Sequence, residues 1–404
     1  MNIKSNNKSW WLTVFLCWMV YTSSYIGKIN YSANINPIMA HFGINHADAG
    51  LVSTAFFFAY GIGQIVNGIL CKKYNVRWII FTCLMISGAI NLTIPLLTDF
   101  SIIKYLWCIN GFTLSVLWPS LIRLLAESIP RESMPRASIV MGTTSTMGTL
   151  LTYALSALFN SVAGFKLSFF TAAGLLITIG IVWILLLPKN DGVADELCDA
   201  KTKNTGGIPR VLLPTVLTLA LFGVFTNLIK DGLTTWVPSI LKERYGFGDS
   251  LSIALTLLLP TVALLDNLLA NLLHRKVPSY VVQATIVFSA AALLIGGVKL
   301  SFGLSTPVPT IIGFALVCLL VCSNNAMITS LFPLFMKGRL NSGLVAGVLN
   351  GFCYLGSTIS SWGLGAIADS SGWEAVLTVL MSAALCSVPA AIIHRLVSKN
   401  DESA

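Results

Sequence analysis

What this chain lacks is charge. Only 10% of its 404 residues are Asp, Glu, Lys or Arg, against about 25% in a soluble domain. Acidic residues are scarcest, 16 against 25 basic ones. A water-soluble globule of this length needs polar cover over much of its surface, and the supply here is too small. The shortage excludes a soluble enzyme, a disordered chain and a nucleic-acid-binding domain. Histidine is also scarce: His41, His46, His274 and His394 all fall at the ends of apolar runs or between them. The 9 cysteines form no CxxC pair and no Cys/His cluster, so neither a metal site nor a disulfide framework is expected. Cys318 and Cys322 share a helix face in an apolar run and read as small packing residues. The chain carries no Ser-His-Asp set, P-loop or dinucleotide fingerprint. Neither catalysis nor a cofactor is expected.

What is present is apolar length. Hydrophobic residues make up 55% of the chain and the mean hydropathy is +0.80. About 20 apolar residues cross a bilayer as a helix. Breaks at charged or Gly/Pro-containing turns divide the chain into twelve segments: 11–40, 49–71, 78–97, 102–128, 136–160, 166–187, 211–241, 250–273, 279–298, 307–335, 342–367 and 373–396. Runs this long are not barrel strands, and hydrocarbon forces backbone hydrogen bonds to close within each segment. The expected fold class is an all-α polytopic membrane protein with twelve transmembrane helices. The first apolar run has no small-residue cleavage site and continues into polar helix, so it is expected to be a mature first span. Residues 189–208 are polar, charged and Gly-containing, a linker between two six-span halves. The expected domains are a bundle over 1–188, a cytoplasmic linker over 189–208 and a second bundle over 209–404. Glycine is frequent, with 32 residues, and inside spans it reads as close helix packing.

The basic residues are unevenly spread. With an even number of spans both termini lie on one side, and that side carries 18 of the 25 Lys and Arg while the opposite side carries 5. Cytoplasmic loops collect Lys and Arg, which puts both termini in the cytoplasm of a cell-membrane protein. The net charge of +9 is therefore mostly the cytoplasmic face, and no nucleic-acid partner is implied. The expected partners are the lipid bilayer and one small anionic molecule, with the chain a monomer.

Two basic residues, Lys28 and Lys230, lie inside spans. A buried lysine is costly and marks a functional site by default. Lys28 falls midway along span 1 and Lys230 at a similar depth in span 7, matching positions of a six-plus-six repeat. Pro37 follows Lys28 by nine residues and Pro238 follows Lys230 by eight. Two cations at the midplane between related halves attract an anion. The alternative is that each pairs with a carboxylate and serves the fold alone. Asp231 points about 100° away from Lys230 on an ideal helix, which predicts a poor partner. Tyr21, Tyr25, Lys28 and Ser32 follow one another at spacings of 4, 3 and 4, a single face suited to a wet cavity. Asp266 lies eight residues before His274, about 12 Å along a helix. It and Asp231 are candidates for coupling a proton or for a structural pair. Arg123 and Glu127, four apart at the end of span 4, read as a gate pair.

At these residues the chain resembles the major facilitator superfamily, and within it the organophosphate:phosphate antiporters that carry glycerol 3-phosphate and hexose phosphates. The resemblance runs over all twelve spans. It includes Tyr25-Ile-Gly-Lys28-Ile-Asn30 in span 1, Ala59-Tyr60-Gly61 in span 2 and Trp118-Pro119 with Arg123 in span 4. Span 7 carries Lys230, Gly232, Trp236, Pro238 and Leu241 at the family spacing, and span 11 carries Ala346-Gly347 and Tyr354-Leu355-Gly356. The family has arginines where this chain has Lys28 and Lys230, and the resemblance implies that these bind the anion. It further implies that Tyr21, Tyr25, Trp118 and Tyr354 contact the substrate body. A family lysine in span 2 is Gln64 here and a span 5 histidine aligns with Ser145, so the site carries less positive charge. A span 8 glutamate falls near Pro260, and the loop 2–3 aspartate is Lys72. Lysine keeps the charge of arginine but loses its planar fork. Gln64 within Tyr60-Gly61-Ile-Gly63-Gln64 also resembles the related anion:cation symporters for sugar acids. The implied function is secondary transport of a small organic anion, a sugar phosphate or glycerol phosphate exchanged for inorganic phosphate, by rocker-switch alternating access. The alternatives are a proton-coupled symporter of a sugar acid and a transporter-like membrane sensor.

Overall fold

A computed structural model describes residues 7–70, 75–130, 133–187, 212–304, 306–335 and 342–401. The 189–208 linker and Lys72 lie outside the described residues. The described chain is helical throughout. The first pass is α1 (Asn7–Ala33) and α2 (Ile35–Phe42), and the second is α3 (His46–Leu70). α4 (Val76–Thr93) extends through a tight turn at Ile94–Leu96 as the third. α5 (Phe100–Ser115) with α6 (Leu117–Ser128), α7 (Met134–Gly142) with α8 (Thr144–Val162), and α9 (Phe165–Leu186) complete the first six. α10 (Leu213–Tyr245) opens the second set. α11 (Asp249–Thr256), α12 (Leu258–Ala263) and α13 (Asp266–Lys276) make one interrupted pass, followed by α14 (Tyr280–Ser301). α15 (Val308–Ala326) runs through a wide π turn at Met327–Leu331 into α16 (Phe332–Phe335). α17 (Ser342–Leu385) and α18 (Ser387–Asp401) end the described chain.

Nine stretches among the described residues are long and apolar enough to cross a membrane. The last, Val345–Val397, holds two passes. Gly372 sits inside α17 at φ 76°, and Leu364 and Leu380, eight residues to either side, both approach Gly232. The chain therefore reverses at Gly372. The passes at 7–42 and 134–162 are not among the nine; Lys28 and several Asn punctuate the first, and Ser and Thr the second. Counting these gives the twelve passes expected.

Several passes expected as single helices are broken; proline accounts for most of the breaks, but not for those at Thr143 and Leu264–Leu265, which no proline follows in the same pass. A proline ring clashes with the carbonyl four residues earlier and removes one hydrogen bond. Asn34 interrupts the first pass next to Ala33, four before Pro37. Val116 does so next to Ser115, four before Pro119, and Leu257 next to Thr256, four before Pro260. Cys386 follows Leu385, four before Pro389, and the π turn spans Thr329, four before Pro333. Pro238 is the exception, accommodated inside α10.

Toward the end of the bundle opposite the chain termini, passes of the two halves are in contact. Gly43 and Gly246, both in left-handed conformation, close α2 and α10 there. α3 lies against α17 with glycines at the seam. A Cβ on Gly50 would strike the Ser361 carbonyl, and one on Gly61 would sit 3.1 Å from the Tyr354 Cβ. Thr54 Oγ1 donates to the Thr358 carbonyl at 2.9 Å and accepts from the Trp362 N–H at 3.0 Å. Ser239 donates to Asn36 at 2.5 Å, and Ser250 to the Ala157 carbonyl at 2.9 Å. Each of these contacts joins the first six passes to the last six.

Candidate functional site

α1 carries Lys28, and three neighbours fix its height. Asn91 from α4 and Asn110 from α5 both donate to the Gly27 carbonyl, at 3.3 and 3.1 Å. Asn30 donates to Asn91 at 2.7 Å, and Ser87 to Asn110 at 2.7 Å. Buried amides of this kind hold helices together where lipid supplies no hydrophobic drive. They are fully enclosed, so α1 is anchored one residue before the lysine.

Lys28 is only 9% exposed. Among the described residues no carboxylate or hydrogen-bond acceptor reaches its ammonium. It is instead surrounded by aromatic faces. The Tyr60 and Tyr25 ring centres lie 4.5 and 4.9 Å from Nζ, Tyr354 at 5.5 Å, and Phe57 and Phe56 at 5.8 and 5.9 Å. Each well-placed ring face contributes roughly 0.5–2 kcal/mol to a cation. The cage offsets part of the cost of burying an ammonium but supplies no counter-charge, so among the described residues Lys28 is left without an anionic partner.

Lys230 on α10 is held differently. Its Nζ lies 3.4 Å from Asp231 Oδ1. The expectation that Asp231 is a poor partner is therefore corrected. Backbone rotation separates the two Cβ atoms, but the four-carbon lysine stem bends far enough to bring the ammonium back. The Ser357 hydroxyl on α17 donates to the other Asp231 oxygen, and the Asn227 amide donates to Ser357 at 3.2 Å. Both carboxylate oxygens are thus occupied.

The two lysines line one cavity of about 170 Å³, room for a small polar molecule rather than a single water. Of the sequence-derived candidates, Tyr25, Ser145, Tyr354, Asp231 and Asp266 lie in the same wall. Tyr21, Gln64 and Trp118 do not. Tyr21 packs against Trp118 with ring centres 4.6 Å apart, and Gln64 donates to the Ser115 carbonyl at 3.2 Å. Asp266 accepts from the backbone and side chain of Asn267, the latter at 2.7 Å. Arg123 and Glu127 pair at 2.7 Å within α6. Pro260, in place of a carboxylate, also lines the cavity.

Other wall residues went unnoticed in the sequence. Cys318, Cys322 and Asn325 project from α15, and Thr234 from α10. The two thiols are free and 3.9 Å apart. Cys318 and Cys322 are therefore wall residues, not packing residues alone. The signal existed: spacings of 4 and 3 put Cys318, Cys322 and Asn325 on one face, and Thr234 lies one turn after Lys230. Among the described residues no group of His, Cys, Asp and Glu could hold a metal ion.

Twelve helical passes around a buried, charged cavity define a multi-pass membrane transporter. Residues 14–342 match the Major Facilitator Superfamily, and the chain belongs to that family. A protein of Chlamydia pneumoniae described as a probable hexose phosphate transport protein is 20% identical over 95% of this chain and 90% of its own length. The membrane sensor protein UhpC of Escherichia coli is 21% identical over 91% of this chain and 88% of its own. A crystal structure of a bacterial homolog to the human lysosomal transporter Spinster, inward-facing and occupied, superimposes with a TM-score of 0.72 at 15% identity, covering 96% of each chain. The relatives named are thus a transport protein and a membrane sensor, and the structural neighbour is a homolog of a transporter.

Proposed function

We propose that this protein is a secondary transporter that carries a small organic anion bound between Lys28 and Lys230, with its two six-helix halves rocking about the cavity. The observation that carries the reading is that one ammonium from each half lines the same small cavity. An anion bridging them joins the halves electrostatically. An empty cavity leaves Lys28 unneutralised, which disfavours switching until an anion enters. With the halves bridged at the end opposite the termini, this reading puts the access route on the terminus side, which the distribution of Lys and Arg makes cytoplasmic. In this reading the protein lies in the cell membrane as a monomer.

The long match to a hexose phosphate transport protein supports a sugar phosphate or glycerol phosphate as cargo, exchanged for inorganic phosphate. Uptake of labelled glucose 6-phosphate into proteoliposomes loaded with phosphate tests this. Uptake should require internal phosphate, and Lys28→Ala and Lys230→Ala should abolish it. Unchanged uptake in either variant rejects the anion site.

One observation favours a second reading. Asp231 and Asp266 line the cavity beside the lysines, so a carboxyl that gains and loses a proton during transport would couple a sugar acid to a proton gradient. Uptake of labelled glucuronate driven by an imposed gradient, without internal phosphate, distinguishes it. Saturable binding without flux or exchange would instead support a sensor.

A further inference from the structure

The geometry points to Asp231 as a specificity-determining residue that restricts the cavity to singly charged oxyanions. This rests on the anion-site reading above and names the charge of the cargo.

The cavity wall carries two ammonium groups, Lys28 and Lys230, and two carboxyl groups, Asp231 and Asp266. They do not pair symmetrically. Lys230 is engaged by Asp231 at 3.4 Å. Asp231 cannot readily swing away, because Ser357 from α17 holds its second oxygen and Asn227 steadies Ser357. Asp266 approaches from α13, its carboxylate already accepting from Asn267. Lys28 from α1 lines the same cavity, and among the described residues its ammonium has aromatic rings, Tyr25 and Tyr354 among them, and no carboxylate within ion-pair distance. One cation is therefore uncommitted and the other is already neutralised.

Uncompensated charge is expensive within a largely buried wall. A singly charged oxyanion meets Lys28 and shares Lys230 with Asp231, so these three groups and the anion sum to zero; Asp266, bonded to Asn267, must be protonated for the whole wall to stay neutral. A dianion brings one negative charge too many and sets it close to a fixed carboxylate, where like charges repel strongly. Two uncommitted cations would suit a dianion; Asp231 removes one of them. The ligand class is an oxyanion of charge −1, either a carboxylate or a singly protonated phosphate monoester.

The test is titration calorimetry on the full chain in detergent with glucuronate and glucose 6-phosphate at pH 8. There the ester is a dianion, since its second pKa is about 6. Wild type should bind glucuronate at least about tenfold more tightly than glucose 6-phosphate. Asp231→Asn should move that preference at least about tenfold toward the dianion, and Asp231→Glu should retain the wild-type preference. Asp231→Ser serves if the amide variant does not fold. An unchanged preference in the folded neutral variants, or a wild type that prefers the dianion, overturns the inference. Repeating the wild-type titrations at pH 5, where the ester is mostly singly charged, separates the two sources. A carboxylate cargo leaves glucuronate the tighter ligand, and a monoester cargo makes glucose 6-phosphate tighter. Lys28→Gln isolates the underlying reading. If it leaves both affinities unchanged, or if wild type binds neither probe, the anion site itself fails. If it abolishes binding while Asp231→Asn changes nothing, only the role of Asp231 fails.

Discussion

His46 Nδ1 lies 2.6 Å from Asp369 Oδ1, although 323 residues of chain separate them. Its other ring nitrogen lies 2.7 Å from Glu243 Oε1. An imidazole donates from both nitrogens only in its doubly protonated form, so facing carboxylates on both sides favour the cation. The ring also packs edge-on to Trp236 and Trp373, at 5.5 and 5.2 Å. Asp369 additionally accepts from the Ala47 backbone at 2.8 Å, and Trp373 donates to Glu243 at 2.8 Å. One histidine from the second pass is thus clasped by the seventh and eleventh, at the end opposite the chain termini.

His46→Ala should release that end. Pulsed-EPR distances between spin labels at the exposed positions Asp48 and Glu374 would grow and broaden relative to wild type. Charge-assisted bonds of this kind are each worth about 1.5–3 kcal/mol when sheltered and less when exposed. A shift of about tenfold toward the open population is expected. An unchanged distance distribution would mean that the clasp contributes nothing to closure.

Gly50→Val should impair closure without altering any charge, because its side chain would occupy the position of the Ser361 carbonyl. The same spin-label distances should lengthen, and transport should fall. Gly347 on α17 is exposed and meets nothing within 4 Å of an added Cβ. Gly347→Ala should therefore stabilise the protein, by roughly 0.5–1 kcal/mol, through reduced backbone freedom when unfolded. Thermal melting compares the two, and a Gly50→Val protein indistinguishable from wild type in both assays would remove the close-approach argument.

Tyr60→Phe should keep the ring 4.5 Å from Lys28 and leave anion binding near wild type. Tyr60→Leu removes the nearest face of the cage. It should lower the melting temperature through loss of roughly 0.5–2 kcal/mol of cation–π stabilisation. Equal melting of the phenylalanine and leucine variants would show that the cage does not stabilise the ammonium.

Asn110→Leu breaks the clamp on Gly27 and leaves Ser87 without its acceptor in a fully buried site. Loss of about 1–2 kcal/mol is expected. Substrate affinity should weaken along with stability, because the clamp sets the position of the adjacent lysine. Undiminished affinity in a destabilised protein would confine Asn110 to the fold.

Much of this was legible before the structure. Long apolar runs mark the passes, because lipid leaves helix as the only option. Lys28 and Lys230 stand out for the same reason, as charges where charge is costly. What escaped the sequence depends on side-chain reach and on distance along the chain. Helical rotation alone sets Asp231 away from Lys230, yet the flexible lysine returns to it. Tyr21 has the right spacing for the cavity face, but Trp118 covers it. His46 reads as a loop residue until the fold delivers Glu243 and Asp369, 197 and 323 residues later. The breaks at Asn34, Val116, Leu257 and Cys386 each lie three residues before a proline, a signal the sequence carried.

In the proposed switch, the glycine seam between α3 and α17 bears on what must give way. Helices that interlock through bulky side chains must unmesh before they turn, like gears. Here Gly50 and Gly61 let α3 lie close against its neighbour, while between and beside them Phe57 and Tyr60 mesh with Tyr354, ring centres 6.4 and 4.7 Å apart. In the proposed switch that ring packing adds to two discrete catches, the His46 clasp and the Thr54 bonds, each of which a single substitution can weaken.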